Sequence, residues 1–570
     1  LTAVGSLTGL VLVSVAVVCW LVLTPSRLTG IANRLSAEYV HCDSHFERVD
    51  LTLFKTWPNV GLELKEVTLV NPYTLPDGHP MAADVRQNDT LAHIGSLTVG
   101  IGLRDYLADG KVVVRQLCIE DGYANLYVGP DGSSNFDIFP KSSDTSKSST
   151  PLPDTIQLHK IKIHNLSADY CDLSQRMIAS ARELNLTLKG SWQKPTTDAN
   201  LSLALAHALI DKRDSSFHQM LYGSMDEMEL ALKCAGQPDN LKGRLNLTID
   251  KGDVALQGQR YTTEAMHASH RPLLQLRLPF HADADNLKLT LDKATVALLQ
   301  YEMGLDGNVQ LPHEQHPLSM NLAYGLKRWD VKELLAVVPP IFTQWKKGMT
   351  MEGLVSVEGK AYGTLGNGKM PLIVADVAID KGRFGAPFLP MTAEDIQARL
   401  AATVDLSSAG RKSSTVTIKR LAAKAHKSEV DIKGHVSDLL GDMLIDATID
   451  GDILLADARQ FLPKSLHLQM QGKTRPHLHV RSRLSQITHL NLEKIGLTGT
   501  LDFDALDVAM DSLAATTPQM TLTVGLPGKT PGKVIDARVT AGEMAVKLNG
   551  MDINVQHPDI TLHTPNLLDK

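Results

Sequence analysis

The chain has 570 residues, with 57 basic and 63 acidic side chains, a formal net charge of -6 and 5% aromatic residues. That balance, without Lys/Arg runs interleaved with aromatics, speaks against nucleic-acid binding, and the ordinary charged fraction of 21% speaks against a disordered chain. Five scattered cysteines show no CxxC or metal spacing, so a disulfide-dense scaffold is not expected; an oxidising compartment would allow two of them, for example Cys118 and Cys171, to pair.

Leu1 to Leu23 is apolar or small almost throughout and carries no charge before Arg27. It is long enough to cross a hydrocarbon core of about 30 Å, so residues 1–24 read as a transmembrane helix. A cleaved signal peptide is the competing reading, and no small-x-small cleavage site comes after the run. Residues 25–40 place Leu28, Ile31 and Leu35 at helical spacing. Such a helix either lies on the membrane surface or caps the first strand, and an exposed sheet edge needs cover.

The stretch from Phe46 to Pro72 sets the pattern for the later strands. Val49, Leu51 and Leu53, then Val60, Leu62 and Leu64, alternate with polar residues or glycine, the period of half-buried strands joined at Thr56-Trp57-Pro58-Asn59. The alternation changes phase between Leu64 and Val67, which predicts a bulge at Lys65-Glu66. Leu97, Val99, Ile101 and Leu103 give another one-sided strand, and Leu117 with Ile119 another. In Gly122 to Pro140 a strand is followed by Asp131-Gly132 and Asn135-Phe136-Asp137, read as a turn after which Phe136 folds back on the sheet. Residues 141–153 are a Ser/Thr-rich loop.

The apolar leader, the run VDLTLFKTWPNVGLELKEVTLVNP and the DGxxNFD turn together resemble the AsmA-like proteins of Gram-negative envelopes, of the kind found in Bacteroidetes-type bacteria. The similarity is densest over residues 1–140 and diffuse beyond. It divides the chain into an anchor (1–24), a juxtamembrane helix (25–40), an AsmA-like β region (41–140), the loop (141–153) and a repeating β-groove region (154–570). The resemblance implies an inner-membrane protein whose bulk lies in the periplasm, similar to bridge-like lipid-transfer proteins.

Further along, an apolar-x-Gly signature recurs at Gly190, Gly258, Gly307, Gly359, Gly434, Gly499 and Gly550. Glycine in a strand marks a bend, a bulge or a close backbone approach, and the irregular spacing suggests a loose repeat. One oily face continues through Leu245 and Leu247, Leu287 and Leu289, Ile445 and Ile449, Leu522 and Val524, and Val546. This fits an antiparallel sheet with one solvated face. Helices are sparse: Trp329 to Val338 and Leu454 to Leu462 each carry helical spacing before proline.

Chemistry is harder to find. No GxSxG, P-loop, dinucleotide fingerprint or HExxH is present. His267 and His270 form an HxxH in a polar stretch, His41 and His45 flank Cys42, His281 alternates with Asp283 and Asp285, and Asp446, Asp450 and Asp452 lack the glutamate that ends a calcium loop. Each reads more simply as solvated surface. Met220, Met225 and Met228 read as loose core rather than an adaptable lid.

The fold expected is therefore mainly β: a long, curled antiparallel sheet behind a transmembrane helix, with a few short capping helices and roughly thirty strands, on the order of 140 Å of sheet. The expected function is non-enzymatic carriage of phospholipid along a β-groove lined by Val49, Leu51, Leu53, Leu62, Leu64, Leu97, Val99, Ile101, Leu245, Leu247, Leu287, Leu289, Ile445, Ile449, Leu522, Val524 and Val546. No cofactor or metal is expected. Partners would be phospholipids, the inner membrane and an outer-membrane or periplasmic protein. The alternative is an assembly factor that binds outer-membrane proteins by strand addition.

Overall fold

A computed structural model describes residues 26, 28–30, 32–33, 40–52, 55–72, 90–110, 113–138, 155–191, 196–312, 317–338, 348–366, 369–387, 389–405, 407, 413–439, 441–462, 467–489, 494–511, 513–527 and 535–564. The apolar segment 1–24, the loop 141–153 and Leu53 lie outside them. Among the described residues no helix is long and apolar enough to cross a membrane. The described chain is mainly β and forms two units, Leu1–Asp285 with Ala294–Gln300, and Asn286–Lys293 with Tyr301–Lys570.

The first unit contains β1 (Ser44–His45), β2 (Arg48–Thr52), β3 (Val60–Val70), β4 (Thr90–Ile101), α1 (Leu103–Asp109), β5 (Val113–Val128), β6 (Thr155–Asp172), β7 (Met177–Ser191) and β8 (Thr197–Arg213). It continues with β9 (Gln219–Gln237), β10 (Asn240–Leu256), β11 (Gln259–Arg260), α2 (Glu264–Ala268) and β12 (Leu274–Asp283). The paired strands of this unit run antiparallel except once. β5 and β6 run parallel, Leu117 facing Ile161 and Ile119 facing Ile163. The expected purely antiparallel sheet is thus corrected to a mixed one. A parallel step needs a long return connection, and residues 129–154 provide it where a hairpin turn would have been too short.

The phase change foreseen at Lys65-Glu66 is present and belongs to a line of kinks. Glu66, Asp121, Asn165, Glu183 and Glu227 all take left-handed φ values of 51–53°. Between β3 and β4 the pairing Lys65–Ser96 resumes at Val67–Ile94 without slipping, and between β4 and β5 Ser96–Glu120 and Ile94–Gly122 do the same. From β3 to β5 register survives because neighbouring strands change phase at the same level, whereas between β6 and β7 it shifts beside Asn165. Polar side chains stitch this line: Asn165 Nδ2 donates to Asp121 Oδ1 at 2.8 Å and Glu183 N to Ser167 Oγ at 3.3 Å. A left-handed residue with a Cβ costs about 1–2 kcal/mol, so Glu183→Gly, at an exposed position, should raise stability by about 0.5–1 kcal/mol. A fall in the thermal midpoint would contradict this reading.

The second unit contains β14 (Tyr301–Gln310), β15 (Leu318–Asp330), α3 (Val331–Val337), β16 (Thr350–Leu365), β17 (Leu372–Gly385), β18 (Ala393–Asp405), β19 (Thr415–Ala425), β20 (Ser428–Ser437) and β21 (Leu444–Leu454). After α4 (Leu455–Ala458) come β22 (Leu468–Arg483), α5 (Leu484–Thr488), β23 (Gly496–Met510), β24 (Leu513–Pro527), β25 (Ile535–Ala541), β26 (Glu543–Leu548), β27 (Met551–Gln556) and β28 (Asp559–Thr564). The strand β13 (Lys288–Leu298) has residues in both units. The pairings from β14 to β28 among the described residues are antiparallel.

Both foreseen helices form. Asp330 caps α3, its Oδ1 accepting from Glu333 N at 3.0 Å, and α4 buries Leu455 and Asp457. Burial pushes the Asp457 carboxyl up, but hydrogen bonds from Ser428 and His426 outweigh it and hold the group below its usual value. A carboxyl lowered by folding stabilises above its unfolded pKa, and that contribution is lost as pH falls through the folded one. The second unit should therefore loosen as pH falls below about 4, the ordinary range of an aspartate. The acid limb of its thermal midpoint should flatten in Asp457→Asn; an unchanged slope would assign the acid loss elsewhere.

The recurring glycines divide by cause. At Gly190, Gly307, Gly359, Gly434 and Gly499 an added Cβ would meet the backbone carbonyl of a neighbouring strand, at Asp198, Asn321, Val374, Asp446 and His477. Gly258 and Gly550 instead sit at hairpin turns with φ of 75° and 86°. The close approach expected of a strand glycine accounts for the first five.

Candidate functional site

Residues directly opposite each other on paired strands point to the same face, so the register alone assembles the apolar face of the first unit. One row runs Leu51, Leu62, Val99, Leu117, Ile161, Leu188, Leu201, Leu232, Leu245 and Leu278. The next runs Val49, Leu64, Leu97, Ile119, Ile163, Leu186, Leu203, Leu230, Leu247 and Leu276. Beyond the kink line a third begins with Val67, Ile94, Gly122, Leu166 and Leu184. Leu205, Met228, Ile249 and Leu274 form a matching row on β8, β9, β10 and β12. At about 4.8 Å per strand, ten strands carry the first two rows over roughly 43 Å.

The covering of these rows changes along their length. At the start, Leu28 of the N-terminal helical segment packs with Phe46, Val49 and Val67, and Ala32, Leu51, Leu62, Leu64, Ile94 and Leu97 pack against that cluster. Val49 is only 2% exposed, and its N–H donates to Thr29 Oγ1 at 3.0 Å. The foreseen capping of the first strands by this segment is what the structure contains. From β5 onward the two central rows are half-buried along their whole length. A second protein layer would have buried them fully, as in a sandwich, so among the described residues this apolar face is an open trough.

The opposite face is polar. Lys189, Asn200, Lys233 and Arg244 lie in one exposed row across β7 to β10. Near the β2–β3 turn this face is covered too: Thr56 is fully buried, and Gln116 Nε2 donates to Lys55 O at 3.2 Å. Burial raises the Glu63 carboxyl there, yet hydrogen bonds from Lys55 and Ser96 prevail and keep it low and charged.

The second unit repeats the arrangement. Leu326, Val357, Val377, Leu400 and Ile418 form one row; Leu421, Ile432, Ile449 and Leu478 another; Leu501, Leu522, Val539 and Ile560 a third. Ile445 faces Val436 and Ser482, Val524 faces Gly499 and Ala537, and Val546 faces Ala515 and Ile553.

Of the residues expected to line a groove, Val49, Leu51, Leu62, Leu64 and Leu97 belong to the capped start and Val99, Leu245 and Leu247 to the rows. Ile101 faces Val60 and Val114 beside them. Leu289 is half-buried in β13, but Leu287 precedes that strand with a φ of 50° and 36% exposure, a turn residue that only continues the alternation in sequence. Leu53 lies outside the described residues. Sequence reasoning left out the residues on β5 to β9 that fill the middle of the trough, although they carry the same alternation.

The other sequence candidates resolve into structure. His267 Nε2 lies 3.0 Å from Asp253 Oδ1, which also accepts from Thr262 and Arg260, tying α2 to β10. Asp450 and Asp446 meet His477 and His479 across strands at 2.5 and 2.7 Å. Among the described residues no group of three His, Cys, Asp or Glu side chains is placed to hold a metal. Cys118 and Cys171 are buried and form no disulfide with each other: Cys171 faces Tyr127, nine residues along β5 from Cys118, or about 30 Å, far beyond disulfide reach. Phe136 is 40% exposed rather than folded back, and its neighbour Asn135 is fully buried. No family model matches the chain, and neither a curated protein nor a solved structure matches it.

Proposed function

We propose that the chain is a non-enzymatic phospholipid carrier whose acyl chains lie in the open apolar trough. The observation that carries this is the pair of continuous aliphatic rows crossing β5 to β12, half-buried and without a second protein layer among the described residues. Contiguous apolar surface left open on this scale marks a ligand groove or an interaction site, and covering it with acyl chains gains about 0.8 kcal/mol per buried CH₂. The rows offer methyl groups and no polar partner, so a chain along them is held without being fixed at one point. The AsmA-like resemblance points the same way and adds an inner-membrane anchor, a periplasmic location and a role in outer-membrane homeostasis. Native mass spectrometry and lipid extraction on the purified protein test it: stoichiometric phospholipid is expected. A stable, monodisperse protein without lipid would overturn it and favour the strand-adding assembly factor, to which the exposed apolar residues Ile560 and Leu562 on β28 lend support.

A further inference from the structure

β27 and β28 form one bent run at the edge of the second unit, kinked at His557, whose φ is 44°. On the inner side β27 pairs with β26 and β28 with β25. Among the described residues no strand pairs with the outer side. Sheet edges are commonly blunted by lysine or by a proline facing outward, and this one has neither. Residues 551–564 include no Lys or Arg, and the single proline is turned inward: Ala541 N donates to Pro558 O at 3.2 Å and His557 N to Gly542 O at 2.7 Å. Alternating from those two bonds, the N–H and C=O groups of Asp552, Asn554, Gln556, Asp559, Thr561 and His563 point outward.

This edge complements itself. Laid antiparallel against its own copy, about a two-fold axis between His557 and Pro558, it sets Asp552 opposite His563, Asn554 opposite Thr561 and Gln556 opposite Asp559. Each pair matches a side-chain donor with an acceptor. The outward positions change parity at the kink, so this antiparallel register alone keeps every one of them opposite another. In the same register Ile553 meets Leu562 and Val555 meets Ile560, aliphatic cross-strand pairs made from residues of which Ile553, Ile560 and Leu562 are 43%, 54% and 50% exposed. Lys547 lies 3.7 Å from Asp552, and His563 Nδ1 lies 2.5 Å from Asp536 Oδ1. Basic and acidic side chains would therefore alternate across the joint, from Lys547 and Asp552 to the second copy's His563 and Asp536. We infer that two copies of the chain join edge to edge through β27 and β28 in this register, over about 45 Å of strand. The apolar face then runs on from Val539 and Ile560 to the second copy's Val555 and Met544. The joint does not depend on lipid carriage, and the two are read by different measurements.

The test uses the full chain in detergent. Asn554→Cys and Thr561→Cys are purified separately, then mixed under mild oxidation. Across the joint the two positions lie about 5.5 Å apart between Cα atoms, within disulfide reach, whereas each lies about 23 Å from its own counterpart. A disulfide linking the 554 and 561 peptides is expected from the mixture and from neither variant alone. Light scattering should show the parent as a dimer at about 20 µM, with the dissociation constant raised at least about tenfold in Thr561→Pro. That substitution removes an outward N–H and leaves the bonds to β25 in place, and the cross-link reads the register whether or not the proline variant folds. A monomeric parent without the mixed disulfide would overturn the assignment and leave the edge to a strand of another protein. So would disulfides forming as readily within one variant as in the mixture, or a dimer unchanged by Thr561→Pro.

Discussion

Replacing Leu203 and Leu230 with aspartate should strip phospholipid from the purified protein. These residues face each other on β8 and β9 in the middle of the second apolar row, where the trough is open and both side chains are half-buried. In the empty protein the two carboxylates stay hydrated, so the fold loses little. With an acyl chain in place they would be covered by hydrocarbon without a partner, which costs several kcal/mol per charge, and each 1.4 kcal/mol is tenfold in affinity. Lipid per chain is expected to drop at least about tenfold. The control lies on the same strands and the other face: Asn200→Asp and Lys233→Asp, at an exposed cross-strand pair, should leave lipid content unchanged. Equal lipid in the Leu203/Leu230 variant and its parent would remove the trough from consideration.

How far the sequence led can be read at particular residues. The phase change between Leu64 and Val67 located the kink at Glu66 because an extra residue in a strand flips every later side chain. The helices at Trp329–Val338 and Leu454–Leu462 were legible from spacing and their following prolines. Other features leave no trace in alternation. A strand reads the same in either direction, so the parallel step between β5 and β6 was hidden. The continuous rows depend on register, which pairs Ile161 with Leu188 and Leu201 with Leu232, and one strand's pattern does not say which neighbour it meets. Leu287 shows the reverse error, an alternating residue used in a turn. At Asn135-Phe136 hydrophobicity predicted that the aromatic would be buried; backbone hydrogen bonding decided for the amide instead.

That amide underlies the second large effect. Beyond the reach of β4, Asn135 takes the place of a neighbouring strand along β5. Its Oδ1 accepts from Tyr127 N at 2.7 Å, its Nδ2 donates to Asn125 O at 2.8 Å, and its own N–H donates to Tyr127 O at 3.0 Å. Nδ2 also lies 3.3 Å from Asn71 Oδ1. Truncation in Asn135→Ala leaves Tyr127 N–H and Asn125 C=O without these bonds at a site closed to water. Each orphaned group costs about 1–3 kcal/mol, so a local loss of about 3 kcal/mol is expected. Asn135→Asp should fare no better: it keeps the acceptor for Tyr127 but sets a carboxylate against the Asn125 carbonyl in a buried position. Hydrogen exchange reports locally, so it reads this end of β5 directly. The Tyr127 amide should lose roughly a hundredfold of protection in either variant, while amides in the middle of β9 and β10 keep theirs. A loss at Tyr127 below about tenfold would mean that the backbone bond from Asn135 N, not its side chain, closes this end of β5.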